Sequence, residues 1–388
     1  MTTTNTLPRT GQDIPDRINE ALAGSGFDAL LTVSAEGSKY LSGAPLPFQL
    51  YYCKRPTAVL WPRDGEPVLF SGSDQLAGPR ATSWITDLRG YREDGRTTAD
   101  CLADLLHGAL DERGLLEARI AYEDLLMPIA VHRAITDRTP GIELVAADGF
   151  FDDLRATKTA HEIAILREVA QSVELGTRAA FEEARAGWTE RDLARRIAAR
   201  ITDFGADTVP MLLAGVGEGA RSFSEPGDRV LTAGEFVRID LNATRRGYYA
   251  DLGRMAIVGE PTPDQEAIYA AHIELNQRVV AAMRPGVTCS ELFTLEQEIG
   301  RELGVEFLEQ PSIGFGHAIG TNASDAPKLM ASDHTVLEAG MVFNIEPDII
   351  GPTGERIHVE EMVLVTEHGG EFLTGTTDWS ELPRIALA

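Results

Sequence analysis

Asp240 and Asp251 flank the turn in VRIDLNATRRGYYADLGR, and Glu346 and Glu360 flank the turn in FNIEPDIIGPTGERIHVEEMVLV. If both stretches fold as β-hairpins, each acidic residue comes to face another across a ladder. Like charges directly opposite on a sheet repel. Buried charges need partners, and few basic residues lie within these otherwise apolar strands. Two such pairs, joined by His317 of GFGHAIG, make chemical sense if divalent cations sit between them. A site of carboxylates with an imidazole suits Mn²⁺, Fe²⁺, Co²⁺ or Zn²⁺ better than Ca²⁺. Two ions bridged about 3.5–4 Å apart polarise a carbonyl and generate hydroxide at neutral pH.

The registers follow from the turns that must position these residues. VRIDLNA alternates apolar and polar residues, and GYYADLGRMAIV is rich in aromatic and β-branched residues. A two-residue loop at Arg245-Arg246, or a four-residue loop from Thr244 to Gly247, sets Asp240 opposite Asp251. In the second hairpin MVFNIEPDII and RIHVEEMVLV are the strands, and Pro352-Thr353-Gly354 suits a type I turn followed by a left-handed glycine. That loop sets Glu346 opposite Glu360 and Glu361 opposite Ile345, which favours Glu360 over Glu361 as the ligand. Gly314, Gly316 and Gly320 around His317 permit close backbone approach.

The supporting elements divide into two groups. At 388 residues the chain exceeds a usual single core, so two domains are expected, with a boundary near residue 155. Residues 1–155 alternate helix and strand as a small α/β domain: a helix in IPDRINEALAGSG, a strand in FDALLTVSA, a hairpin from RPTAVLWP and GEPVLFSG, a helix in TADCLADLLHGALDERG and a strand in ARIAYE. Residues 156–388 read as α+β, with helices over 160–184, 189–203, 262–283 and 289–303 and the acidic strands between and after them. An acidic hairpin in each half of this second domain hints at an old duplication. The net charge of −25 argues against a nucleic-acid partner. The N-terminal stretch has no apolar signal segment and no 18-residue apolar run occurs, so neither secretion nor membrane insertion is expected. Cys53, Cys101 and Cys289 have no metal-ligand spacing and suggest no disulfide framework, in keeping with a reduced, cytoplasmic setting.

At this point the chain resembles a known family. IDLNATRRGYYADLGRM, GFGHAIG, NIEP and HVEEMVLVTEHG are similar to the successive motifs of the creatinase/aminopeptidase P/prolidase superfamily, the pita-bread metallopeptidases, over about residues 150–375. SKYLSGAPL, KRPTAVLWPRDGEPVLF and DDLRATKTAHEIAILREVA resemble that superfamily's creatinase-like N-terminal domain and its junction. The resemblance implies a pita-bread catalytic domain at 156–388 behind a creatinase-like domain at 1–155, two divalent metal ions and a homodimer. It implies that Asp240, Asp251 and Glu360 hold one ion. Asp251, His317, Glu346 and Glu360 hold the other, and Glu346 doubles as the proton shuttle.

The departures from the pattern bear on substrate. Family peptidases usually carry a second histidine seven residues after the ligand histidine, where this chain has Ser324, followed by Asp325. They carry another in a loop before the first acidic strand, where GARSFSEPGDR places Ser222 or Phe223. The arginine usual two residues before the last glutamate is His358 here. Those imidazoles orient the peptide and steady the tetrahedral intermediate, so a specialised small substrate is expected in place of ordinary Xaa-Pro peptides. Ser222, Phe223, Ser324, Asp325 and His358 are then the candidates for contacting it, and the Arg221-Ser222 segment for recognising a carboxylate. His358 has a plainer alternative as a cap on an exposed strand surface, and His107, His132, His161 and His272 read as structural. Three functions remain in view: a dinuclear-metal hydrolase of a peptide or small-amide C–N bond; a β-eliminating lyase on the same scaffold, resembling dimethylsulfoniopropionate lyase, with Asp325 as a base; and a silent binding module. Retention of all five ligand positions argues against the last.

Overall fold

The computed structural model describes residues 13–46, 54–221, 224–308 and 314–387. The chain divides into two compact units, Met1–Arg155 and Ala156–Ala388. In the first unit α1 (Asp13–Ser25), β1 (Ala29–Thr32), α2 (Ala35–Ser42), β2 (Ala58–Pro62), β3 (Val68–Gly72), α3 (Ala77–Thr82), β4 (Asp87–Tyr91), α4 (Thr98–Glu112), β5 (Arg119–Tyr122), α5 (Ile129–Arg138), β6 (Glu143–Ala146) and α6 (Asp148–Ala156) follow in order. The strands form one sheet in the order β4-β3-β2-β1-β5-β6. The hairpin expected from RPTAVLWP and GEPVLFSG is β2–β3, joined antiparallel. β1 to β3 are buried along their whole length, so they read as continuous apolar runs with no alternation.

The second unit opens with two helices, α7 (Ala160–Glu183) and α8 (Glu190–Asp203), followed by β7 (Thr208–Val216), β8 (Phe236–Arg245) and β9 (Tyr248–Val258). A second helix pair, α9 (Pro263–Ala282) and α10 (Cys289–Leu303), precedes β10 (Gly316–Ala318), β11 (Asp325–Lys328), β12 (Val342–Ile345), β13 (Asp348–Ile350), β14 (Arg356–His358), β15 (Glu361–Thr366), β16 (Gly369–Phe372) and β17 (Arg384–Ile385). The four helices lie where the sequence places them. Each begins with a threonine whose hydroxyl caps the amide three residues on, while that residue's side chain returns to the threonine amide: Thr159/Glu162, Thr189/Asp192, Thr262/Gln265 and Thr288/Glu291. Replacing such a cap with alanine typically costs about 1 kcal/mol. Among the described residues, no helix is long and apolar enough to cross a membrane.

Two sheets carry the acidic residues. One has the order β17-β9-β8-β7 and packs with α7 and α8 around Val169, Leu193, Ile239 and Leu252. The other has the order β11-β10-β12-β15-β16 and packs with α9 and α10 around Leu275, Leu292, Phe343 and Val363. β13 and β14 form a separate two-stranded ribbon.

Two expectations about the strands need correction. β8 and β9 turn at Arg246-Gly247, so Asp240 pairs with Gly253 and Asp251 pairs with Asn242. Arg246 (φ 51°) and Gly247 (φ 79°) both take positive φ. That is the two-residue turn whose twist matches a hairpin, and it calls for glycine at its second centre. The loop therefore sits one residue later than a turn at Arg245-Arg246. Because side chains alternate with period two, the two-residue change in register keeps both aspartates on one face, as diagonal neighbours. Second, 341–350 and 356–365 are each interrupted. β12 stops at Ile345 and β13 starts at Asp348, while β14 stops at His358 and β15 starts at Glu361. Pro347 has no amide to give the ladder. Glu346 donates its amide instead to Phe315 (2.7 Å) and Glu360 donates to Gly253 (3.1 Å). The expected register nevertheless holds on both sides of the gap, with Ile345 opposite Glu361 and Asp348 opposite His358.

Candidate metal centre

Asp240 enters from β8, Asp251 from β9, His317 from β10, and Glu346 and Glu360 from the two breaks in the second hairpin. Asp240, Asp251, His317 and Glu360 are buried, between 1% and 7% exposed, whereas the Glu346 side chain is 19% exposed. Glu361, the neighbour not favoured as a ligand, turns to Arg254 (3.1 Å) and Thr374. Arg254 is itself buried under the Trp379 ring.

The crowding has an electrostatic signature. Burial, then the neighbouring Glu360 carboxylate, raises Asp240 to about 6. Burial and the charges of Glu360, Asp240 and Glu346 push Asp251 well above the ordinary range. Burial and Glu360 do the same to Glu346. Burial would raise Glu360 too, but His358 outweighs it and holds Glu360 down. Among the described residues, Oδ1 of Asp251 and Oε2 of Glu360 are buried with no hydrogen-bond partner. Buried acceptors are rarely left in that state, and cations are the natural occupants of such a space.

His317 is prepared for ligation. Its Nδ1 donates to the carbonyl of Ala318 (3.0 Å), which leaves the Nε2 lone pair 3.5 Å from Glu346 and 3.8 Å from Asp251. Burial lowers its pKa to about 4, so the ring is neutral at physiological pH. The glycines around it matter unequally. A Cβ on Gly314 would lie 2.1 Å from the Leu329 carbonyl oxygen, and one on Gly316 would lie 2.4 Å from that of Asn344. At Gly320 the nearest atom would be 3.3 Å away.

His358 is not on an exposed surface. It is 1% exposed, with Nδ1 2.9 Å from Asp348 and Nε2 2.7 Å from Glu360 and 3.7 Å from Asp240. Burial lowers its pKa, but Asp348 and Glu360 more than offset this and raise it well above the usual histidine value. Asp348 would be raised by burial, yet His358 and Arg356 hold it at about 2. Both ring nitrogens are therefore engaged, one with Asp348 and the other with Glu360. Space for the ring comes from Gly253, where a Cβ would fall 2.7 Å from Cδ2 of His358 and 2.6 Å from Cγ of Glu360.

The other candidate substrate contacts are not gathered in the same way. Ser324 is exposed, and its hydroxyl accepts from Lys328. Asp325 is buried on β11 and flanks Gly320 together with Lys158. Ser222 and Phe223 lie outside the described residues.

Two residues from α9, which the sequence reading had set aside or passed over, brace the broken hairpin. His272 Nε2 donates to the Pro347 carbonyl (2.7 Å), and Asn276 donates to the carbonyl of Val359 (2.9 Å). They hold the backbone beside Glu346 and Glu360. The proline inside an otherwise apolar strand was the available signal that such a break needed support.

The metal-free protein is expected to lose stability as pH rises from about 4 to 7. Asp240 has a folded value of about 6 against an ordinary 3.8, so the folded state holds more protons across that window and the linked stability falls with rising pH. His358 acts in the same direction, because its contribution is complete below its ordinary value of 6.5 and is lost as pH rises through its raised folded value. Asp348 and Glu360, both lowered, lose their contribution only as pH falls below the ordinary carboxylate range. The lowered His317 and His272 oppose the trend between about 4 and their ordinary 6.5, and are outweighed by Asp251 and Glu346, which are raised as Asp240 is. Melting curves of chelated protein check this. A midpoint that climbs steadily from about pH 5 to 7.5 contradicts it.

The metallopeptidase family M24 pattern matches residues 164–367, and the creatinase/prolidase N-terminal domain pattern matches residues 16–157. The Xaa-Pro dipeptidase of Pyrococcus furiosus is 34% identical over 237 residues, covering 60% of this chain and 67% of that protein. The crystal structure of prolidase from Pyrococcus horikoshii superposes with a TM-score of 0.80 at 24% identity, over 95% of this chain and 99% of that one. Dipeptidase PepE from Mycobacterium ulcerans gives a TM-score of 0.78 at 25% identity, over 96% and 98%.

Proposed function

The chain belongs to metallopeptidase family M24, and from that premise we propose that it hydrolyses the C–N bond of a short peptide or small amide at the cluster of Asp240, Asp251, His317, Glu346 and Glu360. The pita-bread fold and the creatinase-like N-terminal domain fit a metallohydrolase of the prolidase type. Family membership implies divalent metal ions. The observation that carries the reading is the pair of unpartnered buried oxygens, on Asp251 and Glu360, inside a group of four converging carboxylates and a neutral imidazole. Carboxylate and imidazole together suit Mn, Co, Fe or Zn. Two ions bound there would supply Lewis acidity toward the scissile carbonyl and lower the pKa of water.

The chain's own residues would do the rest. Asp240, Asp251 and Glu360 supply the fixed negative charge that keeps cations in a buried space. Glu346, with its partly open side chain and raised pKa, accepts a proton from the attacking water and passes it to the leaving nitrogen. His317 adds a nitrogen donor on the Glu346 side.

The substrate is proposed to be more specialised than a generic Xaa-Pro dipeptide. This rests on Ser324, and on Ser222 or Phe223, standing at positions where family peptidases carry histidines. Losing one oxyanion donor can lower a rate by about 10²–10³. Assays with a panel of Xaa-Pro dipeptides and metal-loaded enzyme are expected to give slow turnover, with Ser324→His raising it. Turnover at ordinary enzyme rates, roughly 1–10³ per second, overturns the specialised-substrate reading and leaves a prolidase-like peptidase.

A further inference from the structure

We propose that His358 is itself a metal ligand, giving the centre a second imidazole beside His317. This rests on the reading of the cluster as a metal centre and adds a donor to it. Asp240, His358 and Glu360 offer ligand atoms that all lie within 4.8 Å of one another, and all three residues are buried. Nε2 of His358 is 2.7 Å from Glu360 and 3.7 Å from Asp240. An ion gripped at about 2.0–2.2 Å by nitrogen and oxygen holds its ligand atoms at separations of this size. The unpartnered Oε2 of Glu360, a residue only 1% exposed, is the independent sign that this space takes a ligand.

The far side of the ring is arranged as it is in known metal-binding histidines. A ligating imidazole almost always gives its other N–H to a carboxylate, carbonyl or water. Nδ1 of His358 meets Asp348 at 2.9 Å, and Asp348 is fixed in turn by a two-pronged contact with Arg356. The ring is thereby locked with Nε2 aimed at Glu360 and Asp240. Gly253 gives the ring the room this position needs, since a Cβ there would fall 2.7 Å from Cδ2.

Imidazole suits Zn, Fe, Ni and Cu, while all-oxygen sites suit Mn and Mg. A nitrogen donor on each side of the cluster therefore moves its preference away from Mn and toward Zn, Co or Fe. X-ray absorption on the cobalt-loaded protein reads the donors directly. The expected result is scattering from one imidazole per cobalt on average in the wild type, falling to one per two cobalts in His358→Gln. In competition, that variant is expected to lose selectivity for zinc over manganese by at least about 10-fold, the lower end of the effect of removing even an outer partner of a ligand. If His358→Gln fails to fold, the wild-type count alone decides. One imidazole per two cobalts in the wild type overturns the proposal and leaves His358 as a hydrogen-bond donor to Glu360, with the metal centre intact. A wild-type protein that takes up no cobalt overturns this proposal and the metal-centre reading together.

Discussion

Asp251→Ala is expected to release metal and reduce turnover to background. The side chain is 7% exposed, its Oδ1 has no hydrogen-bond partner among the described residues, and its other oxygen lies 3.8 Å from His317. It stands diagonal to Asp240 on the same face of the β8–β9 hairpin, and the proposed centre counts it among the ligands of both ions. Removing it takes a charge from both. The same substitution should have the opposite effect on the metal-free protein, because Asp251, raised by burial and by three carboxylate neighbours, is there a buried group that must take up a proton to relieve their repulsion and still has an unpartnered oxygen. Chelated Asp251→Ala should therefore be more stable than chelated wild type, on the order of 1–3 kcal/mol, the usual penalty for an unsatisfied buried polar group. Elemental analysis and paired melting curves check both halves. An unchanged metal-to-protein ratio rules out the site as assigned, and a chelated variant less stable than wild type contradicts the repulsion.

Glu346→Gln is expected to lower kcat by about 10²–10⁴-fold, the usual range for a general acid–base group, while most of the metal stays bound. Glutamine keeps the shape and one carbonyl oxygen but cannot take up a proton. Glu346 is the most open of the five residues at 19% exposure, and burial together with Glu360 raises its pKa. Both properties suit a group that exchanges protons with substrate. Steady-state kinetics beside metal analysis separate this role from ligation. A variant within a few-fold of wild type means that Glu346 is a ligand without a part in proton transfer, whereas loss of metal along with activity means that its charge is needed for binding.

Much of the second unit could be read from its residues because local chemistry and global fold agree there. The helices start at T-x-x-E, T-x-x-D or T-x-x-Q and continue with apolar periodicity. The second hairpin was placed in register because Gly354, at φ 88°, ends its three-residue loop. The first turns one residue later than Arg245-Arg246 because Arg246-Gly247 puts glycine second in the two-residue turn. The aspartates stay on one face, since a change of two in pairing preserves side-chain alternation. What local pattern could not supply was the surroundings of His358. A histidine in RIHVEE carries no mark of burial, and its partner Asp348 becomes its neighbour only because the hairpin resumes after Pro347 in the same register. His272 and Asn276 are two more polar residues on a helix until the fold brings them to the break.

The missing Cβ at Gly253 constrains the routes by which this centre can change. The imidazole of His358 and the stem of Glu360 already fill the volume that any other side chain at 253 would enter. Positions 253 and 358 are consequently epistatic. A side chain gained at 253 is harmful while histidine stands at 358, and becomes tolerable only after a residue that vacates that volume has replaced it and the stem of Glu360 has moved into the space released. The order of mutations is thus set by shape. A lineage, or a selection experiment starting from this chain, should accept changes at 358 before changes at 253 and rarely the reverse. Saturating both positions together should recover combinations that neither single library contains.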